Sequence, residues 1–267
     1  MTLCEEHPKD LAVSKYIDRY QLFMIQEPAF FKTIPNGKIE CYMVKSGEFK
    51  TWDVPSQSFI SGGSSGILPA TNQPTFYHIP GKLICLNIKL NLNIVGLSMF
   101  NGLLTNWAGF DVANLIPLEE QQRILAKCSE SDMTIPVSDL DAAIELSLCR
   151  NPINSQVEKV VALMEDQLTS KFKVSDLASN MAMSEKSLER MVKKQFNLTP
   201  KELWQVIRFQ HASHKLKNQP NSKFIDALEF GYYDQSHFIK ECRKITSYSP
   251  KELFSKMKLP TNDLAFE

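Results

Sequence analysis

Apolar positions along the chain follow one period up to about residue 90 and another beyond it. In the first stretch, Ile39-Glu40-Cys41-Tyr42-Met43-Val44-Lys45 mixes polar and apolar positions ahead of a Ser46-Gly47 turn signal. Leu83-Ile84-Cys85-Leu86-Asn87-Ile88-Lys89-Leu90 partly alternates and is rich in branched residues. Both read as strands of a closed or sandwiched sheet, since a half-buried strand repeats every two residues. Ser61-Gly62-Gly63-Ser64-Ser65-Gly66 reads as a loop. Glycines can bring backbone amides close to a phosphate where a helix follows, but here Pro69 follows with no Lys-Ser/Thr pair, so a plain connection is expected. Past residue 90 the apolar spacing becomes three and four. Val95 to Trp107, Leu118 to Lys127 and Val137 to Leu148 are expected as helices that close a first domain and offer a seam for a homodimer.

Asn151-Pro152-Ile153-Asn154 marks the expected domain boundary, because Pro152 cannot continue a helix. Beyond it the chain reads as nearly all helix, beginning with Ser155 to Thr169, where Val157, Val160, Val161, Met164 and Leu168 share one stripe. The charge changes sign at the same place. Residues 154–258 hold 18 Lys+Arg against 12 Asp+Glu, a balance of +6, while the remainder of a chain with 30 of each sums to −6. Such a basic half suits a polyanion, since neutralised phosphates release condensed counterions. A merely solvated charged face has the same balance, so the motifs must decide.

A length of 267 residues fits about two domains of 100–150 residues. The six cysteines (Cys4, Cys41, Cys85, Cys128, Cys149, Cys242) form no C-x-x-C pair and have no histidines at zinc spacing, so free, buried thiols are expected. Charged residues through the first twenty positions exclude the apolar core of a secretory signal. With no apolar run of the roughly 18–20 residues that span a bilayer, a cytoplasmic protein with no membrane partner is expected.

A helix-turn-helix needs a first helix with small and apolar contacts, a tight turn, and a second helix with an exposed face for the major groove. Val174, Leu177 and Ala178 form an i, i+3, i+4 stripe, Ala182-Met183 supplies a turn, and Ser184 is a natural N-cap. The helix that follows is expected to bury Leu188, Met191 or Val192, and Phe196. Glu185, Lys186, Ser187, Glu189, Arg190, Lys193 and Lys194 are left toward its other face. Asn197 stands where a left-handed stop is wanted, and Pro200 in the first turn of the next helix. About fifty residues later the order recurs. Phe224, Ala227 and Leu228 repeat the stripe, Gly231-Tyr232-Tyr233 the turn and Asp234 the cap of a helix burying Phe238 and Cys242, with Gln235, Ser236, His237, Lys240, Arg243 and Lys244 facing outward. Ser249-Pro250-Lys251-Glu252-Leu253 then echoes Thr199-Pro200-Lys201-Glu202-Leu203.

Over roughly residues 155–257 the chain resembles the AraC family of bacterial regulators. Gly231-Tyr232-Tyr233-Asp234-Gln235-Ser236-His237-Phe238 with Ser249-Pro250 is similar to that family's signature. Asp176-Leu177-Ala178, Ser184, Leu188, Arg190, Phe196 and Thr199-Pro200 are similar to its first unit, and Arg208, Ala212 and Leu216 to its connecting helix. The resemblance implies seven helices, with two helix-turn-helix units bridged by one long helix and both reading helices in neighbouring major-groove segments. The chain departs from the pattern at Asp226, where the family has a large aliphatic residue, at Cys242 for phenylalanine and at Ser247 for glycine. The second unit is accordingly expected to bind more weakly. More loosely, Ile34-Pro35-Asn36-Gly37-Lys38-Ile39-Glu40 resembles the Pro-Asp-Gly-x-x-Glu stretch of sensor-like domains on some of these regulators, with Asn36 in place of aspartate. Glu40 reads first as a strand-edge glutamate, with a contact inside a β-rich pocket as the alternative.

No H-E-x-x-H or phosphate loop points to an enzyme, and Gly62-Gly63-Ser64-Ser65-Gly66, which fits G-x-S-x-G by letter, lies in the stretch read as a plain loop. His211 and His214 lack a third ligand and read as solvent-facing or packing residues, so neither metal nor cofactor is expected. The expectation is an α+β chain: a β-rich regulatory domain with trailing helices over 1–150, an all-α DNA-binding domain of about seven helices over 154–258, and a loose tail over 259–267. Double-stranded DNA is the expected partner, contacted by Lys186, Ser187, Arg190, Gln235, Ser236, His237 and Lys240 near base edges, by Lys193, Lys194, Arg243 and Lys244 at phosphates, and by the capping residue Ser184. For His237 a local hydrogen bond is the equal alternative. The resemblance adds a small-molecule effector at the first domain, RNA polymerase as a partner, and activation as the commoner outcome. A helical adaptor that binds another protein instead of DNA is the rival reading.

Overall fold

The computed structural model describes residues 1–100, 111–169, 172–218, 224–256 and 264–266. The chain divides into two compact units. One comprises Met1–Phe30, Lys38–Pro69 and Phe76–Asn154; the other comprises Phe31–Gly37, Ala70–Thr75 and Ser155–Glu267.

In chain order, up to Arg150, the chain carries β1 (Thr2–Glu6), α1 (Leu11–Ser14), β2 (Ile17–Ile25), β3 (Ala29–Thr33), β4 (Ile39–Ser46), β5 (Lys50–Asp53), β6 (Ser58–Ser61), β7 (Ser65–Leu68), β8 (Thr75–Ile79), β9 (Leu83–Leu90), α2 (Leu118–Lys127) and α3 (Val137–Arg150). One antiparallel sheet is ordered β1-β2-β9-β4-β7; in the other, β3, β8, β5 and β6 are neighbours in that order. Of the Gly-rich stretch expected as a loop only Gly62, Gly63 and Ser64 join β6 to β7, because Ser61 ends β6 and Ser65-Gly66 pair with Met43 and Tyr42 of β4 at the start of β7. Central β9 is buried along its whole length, so both of its faces are covered. Ile84, Leu86, Ile88 and Leu90 share a face with Tyr20 and Leu22 of β2 and Ile39, Cys41 and Met43 of β4 across the register.

The opposite face of this sheet carries a polar row. Gln21 Nε2 donates to Glu5, and Asn87 Nδ2 donates to Gln21 Oε1 (3.3 Å) and Glu40 Oε2 (3.0 Å). Lys89 Nζ lies 2.8 Å from Glu40 Oε1. Glu40 therefore does not sit on an edge, as its flanking residues suggested: β4 lies between β9 and β7, and the carboxylate compensates a nearly buried ammonium. On α3, buried Asp141 accepts the Lys9 and Asp10 backbone N–H groups on Oδ2 (2.8 and 3.0 Å) and the Tyr20 hydroxyl on Oδ1 (2.6 Å), fastening the start of the chain.

The helix expected over 95–107 is not formed where the chain is described. Leu92–Gly96 and Ser98–Phe100 are 3₁₀ turns, separated by Leu97, which makes a β-bridge to Ile153; residues 101–110 lie outside the described residues. The bridge satisfies Ser98 N–H on Pro152 O (2.9 Å) and Asn154 N–H on Gly96 O (2.7 Å), so backbone groups that a helix would pair internally are paired across the chain. All six cysteines are free; Cys41, Cys85, Cys128 and Cys242 are buried, Cys4 is intermediate and Cys149 exposed.

The second unit contains α4 (Ser155–Asp166), α5 (Val174–Asn180), α6 (Glu185–Phe196), α7 (Pro200–Asn218), a 3₁₀ helix (Phe224–Phe230), α8 (Gln235–Thr246), α9 (Pro250–Lys256) and β10 (Leu264–Phe266). Its core includes one residue from far upstream: Ile34 packs with Phe209, Ala212, Ala227, Tyr232, Phe238, Cys242, Ile245 and Leu253. Gly37 approaches α7 so closely that a Cβ would lie 3.1 Å from Gln210 Oε1, and its φ of +64° favours glycine. The Pro-Asn-Gly stretch thus packs within this unit. Where the sequence offers only a loose tail, β10 pairs antiparallel with β3, Leu264 opposite Thr33 and Phe266 opposite Phe31. The pairing partner lies over two hundred residues away, beyond the reach of a local pattern.

Candidate nucleic-acid interface

Two helix–turn–helix arrangements flank α7. In the first, Leu177 and Ala178 of α5 are buried, and the turn passes through Ala182 at φ 53°. Ser184 then caps α6: its Oγ accepts Ser187 N–H (3.2 Å) and donates to Ser187 Oγ (2.9 Å). The buried side of α6 is Leu188, Val192, Gln195 and Phe196, which selects Val192 over Met191 for the stripe. Asn197 ends the helix left-handed at φ 54°.

In the second arrangement the first segment is a 3₁₀ helix and not the α-helix its pattern suggests. A 3₁₀ helix stacks residues three apart, and Ala227 (buried) and Phe230 (packed against the same core) have that spacing. Asp226 stands where the resemblance calls for a large aliphatic anchor. Gly231 takes φ +72° in the turn, Asp234 Oδ1 accepts His237 N–H (2.7 Å) at the start of α8, and Ser247 ends it at φ 65°. Phe238, Glu241, Cys242, Ile245 and Thr246 form the buried side of α8. Burial pushes the Cys242 thiol up to about 12.

The echoed Ser/Thr-Pro-Lys-Glu-Leu segments are twin capping boxes. Glu202 Oε2 accepts Thr199 N–H (2.9 Å) and Oγ–H (2.8 Å), and Glu252 Oε2 accepts Ser249 N–H (2.8 Å) and Oγ–H (2.6 Å). These bonds hold both carboxyls below their ordinary values, chiefly through the Thr199 backbone N–H for Glu202 and the Ser249 hydroxyl for Glu252.

Lys186, Arg190, Lys193 and Lys194 on α6 and Gln235, Ser236, Lys240, Arg243 and Lys244 on α8 are exposed. Ser187 is half-buried and drawn into the cap with Ser184. His237 is also half-buried. Its Nδ1 faces the Tyr233 N–H at 3.3 Å and its Nε2 lies 4.0 Å from Glu241, so its ring is held by its own turn.

Behind α8 lies a cluster the sequence reading did not single out. Arg208 of α7 forks onto Glu241, with Nε 3.3 Å from Oε1 and Nη2 closing on Oε2, while Nη1 reaches Gly231 O at 3.4 Å. Tyr232 donates to Glu241 Oε1 (2.6 Å) and Gln205 Nε2 to Oε2 (3.4 Å). Burial, then the Glu241 charge, pushes the Tyr232 phenol well above its ordinary value. The Arg208 guanidinium lies between the Trp204 and Tyr232 rings, 4.3 and 4.0 Å from their centroids, and Trp204 stacks on Phe172 at 4.8 Å. One signal was available: Glu241 occupies the i+3 place of the apolar stripe Phe238, Cys242, Ile245.

Residues 177–256 match the family model described as a helix-turn-helix domain. Over 101 residues the chain is 31% identical to the HTH-type transcriptional regulator YidL of Escherichia coli K12, covering 38% of this chain and 34% of that protein. Over 100 residues it is 31% identical to the transcriptional activator PerA of E. coli O127:H6 (37% and 35% covered) and 25% identical to the HTH-type transcriptional activator RhaS of Klebsiella pneumoniae (38% and 36%). The chain thus spans about a third of the length of these curated relatives. ToxT of Vibrio cholerae has a similar fold, with a TM-score of 0.55 at 11% identity over 96% of this chain and 98% of that one. The C-terminal part of the protein carries a helix-turn-helix domain.

Proposed function

We propose that the protein is a DNA-binding transcription regulator of the AraC type, an activator, with α6 and α8 entering adjacent major-groove segments. The repeat carries this reading: two capped helices, each ending in a left-handed residue and followed by the same capping box, expose lysines and arginines on their outer faces. On this reading Lys186, Ser187, Arg190, Gln235, Ser236 and Lys240 approach base edges. Lys193, Lys194, Arg243 and Lys244 meet phosphates, while Ser184 and His237 serve their own turns first. A homodimer, RNA polymerase as partner and a cytoplasmic location belong to the same proposal. Among the described residues no helix is long and apolar enough to cross a membrane.

The β-rich unit is proposed to bind a small-molecule effector. ToxT has been solved with an unsaturated fatty acid bound and with a naphthalenyl-butenoic acid bound, and that likeness supports a ligand-binding role without naming this chain's ligand. The deciding experiment is fluorescence anisotropy of the full-length protein on duplex DNA at rising salt. Log affinity is expected to fall linearly with log salt, by about 0.9 per phosphate neutralised. A flat or absent response favours a helical adaptor and sinks the proposal.

A further inference from the structure

We propose that Arg208 is a positioning residue that fixes the second reading helix relative to the first, and so sets the distance between the two DNA half-sites without touching DNA. This inference rests on the DNA-binding reading above. Phe172 lies two residues before α5, in the segment that leads into the first helix-turn-helix; Trp204 and Arg208 are one turn apart on α7; Tyr232 is in the second turn; Glu241 is on α8. Ring, ring, guanidinium and ring succeed one another at 4.8, 4.3 and 4.0 Å, and the fork onto Glu241 and the Tyr232 hydroxyl fasten the far end to α8. Through this one side chain α8 is fastened to α7, the helix against which α6 also packs, and to the segment that leads into α5. Arg208 is 3% and Glu241 5% exposed, so neither is available to a phosphate or base. Only a planar cation can stack between two rings and fork onto a carboxylate edge-on at once; the point charge of lysine cannot combine the two.

The alternative, that the pair merely holds the fold together, makes a different prediction. Replacing a buried ion pair by apolar residues of similar volume commonly leaves stability intact, whereas removing one partner does not. The double variant Arg208→Met with Glu241→Met therefore separates the two. The full-length protein would select from a random-sequence duplex library, with thermal melting to establish folding. In parallel, spin labels at Glu189→Cys and Lys240→Cys, in a Cys4→Ser, Cys149→Ser background, would report the α6-to-α8 distance without DNA.

The expected result is a folded variant that keeps the half-site read by α6, loses the fixed distance to the other half, and binds the wild-type sequence about ten- to a hundredfold more weakly. Its label-distance distribution broadens. Arg208→Lys gives the same change to a smaller extent, and carries the test if the double variant does not fold. Unchanged spacing with an unchanged distance distribution overturns the inference, as does equal loss of both halves with that distribution unchanged. A broadened distribution in a protein whose wild type selects no motif leaves the coupling standing and removes the DNA-binding reading instead.

Discussion

Asp141 offers the sharpest test of how the first unit is held. Its carboxylate collects two backbone N–H groups from Lys9 and Asp10 and the hydroxyl of fully buried Tyr20. A hydrogen bond to a charged group contributes about 1.5–3 kcal/mol. The two amides lie near the surface and can be rehydrated, while the Tyr20 hydroxyl cannot, so Asp141→Ala is expected to cost about 3–4 kcal/mol. Asp141→Asn has a way out. Its Oδ1 can take both amides while Nδ2 donates to Tyr20, whose hydroxyl turns from donor to acceptor, and the cost falls to about 1–2 kcal/mol. Tyr20→Phe removes one contact and belongs in the same lower range. Urea unfolding of the full-length protein at neutral pH, followed by far-UV circular dichroism, measures all three. Equal losses for Asn and Ala, or an Ala variant within about 0.5 kcal/mol of wild type, the scatter of ordinary surface substitutions, would refute the reasoning.

Ser247→Gly should stabilise the protein by about 1 kcal/mol, because a non-glycine residue at φ 65° carries a steric penalty that glycine lacks; a lower urea midpoint would contradict this. Arg190→Ala is expected to cost about 1–3 kcal/mol of DNA affinity and to relax base preference at one position. Lys193→Ala should instead weaken all sequences alike and lower the salt slope by about 1, and competition titrations at several salt concentrations tell the two patterns apart. For the capping boxes, the folded-state carboxyls of Glu202 and Glu252 sit below their unfolded values. Their stabilisation is therefore complete above the ordinary carboxylate range and is lost as pH falls through the lowered folded values. Thermal melts should show Thr199→Ala and Ser249→Ala destabilising at pH 7 but much less once both carboxyls are protonated; an undiminished difference in acid would exclude the carboxylates as the cause.

What was legible in the sequence is what neighbours in the chain decide. Ser184 and Asp234 cap, Asn197 and Gly231 take left-handed backbone, and α2 and α3 begin where the spacing of apolar residues begins, because each depends on a few adjacent side chains. Glu40 and Glu241 were misread or passed over for the opposite reason. A glutamate in a strand or helix looks solvated until Lys89 or Arg208, dozens of residues away, is brought against it. The 3₁₀ turns Leu92–Gly96 and Ser98–Phe100 share that cause: apolar spacing of three and four suits either helix type, and the bridge of Leu97 to distant Ile153 pairs backbone that an α-helix would need.

Ile34 has an implication for how this protein can be taken apart. A fragment beginning at Ser155 would retain both reading helices and every exposed lysine and arginine on them, yet it would lack the side chain that fills the space beside Phe209 and Phe238, the strand that pairs with Leu264–Phe266, and the Lys32 ammonium seated 4.0 Å above the Tyr248 ring. Excised at that point, the C-terminal half is an incomplete body, and weak DNA binding by such a fragment would reflect a missing piece of its interior before it said anything about regulation.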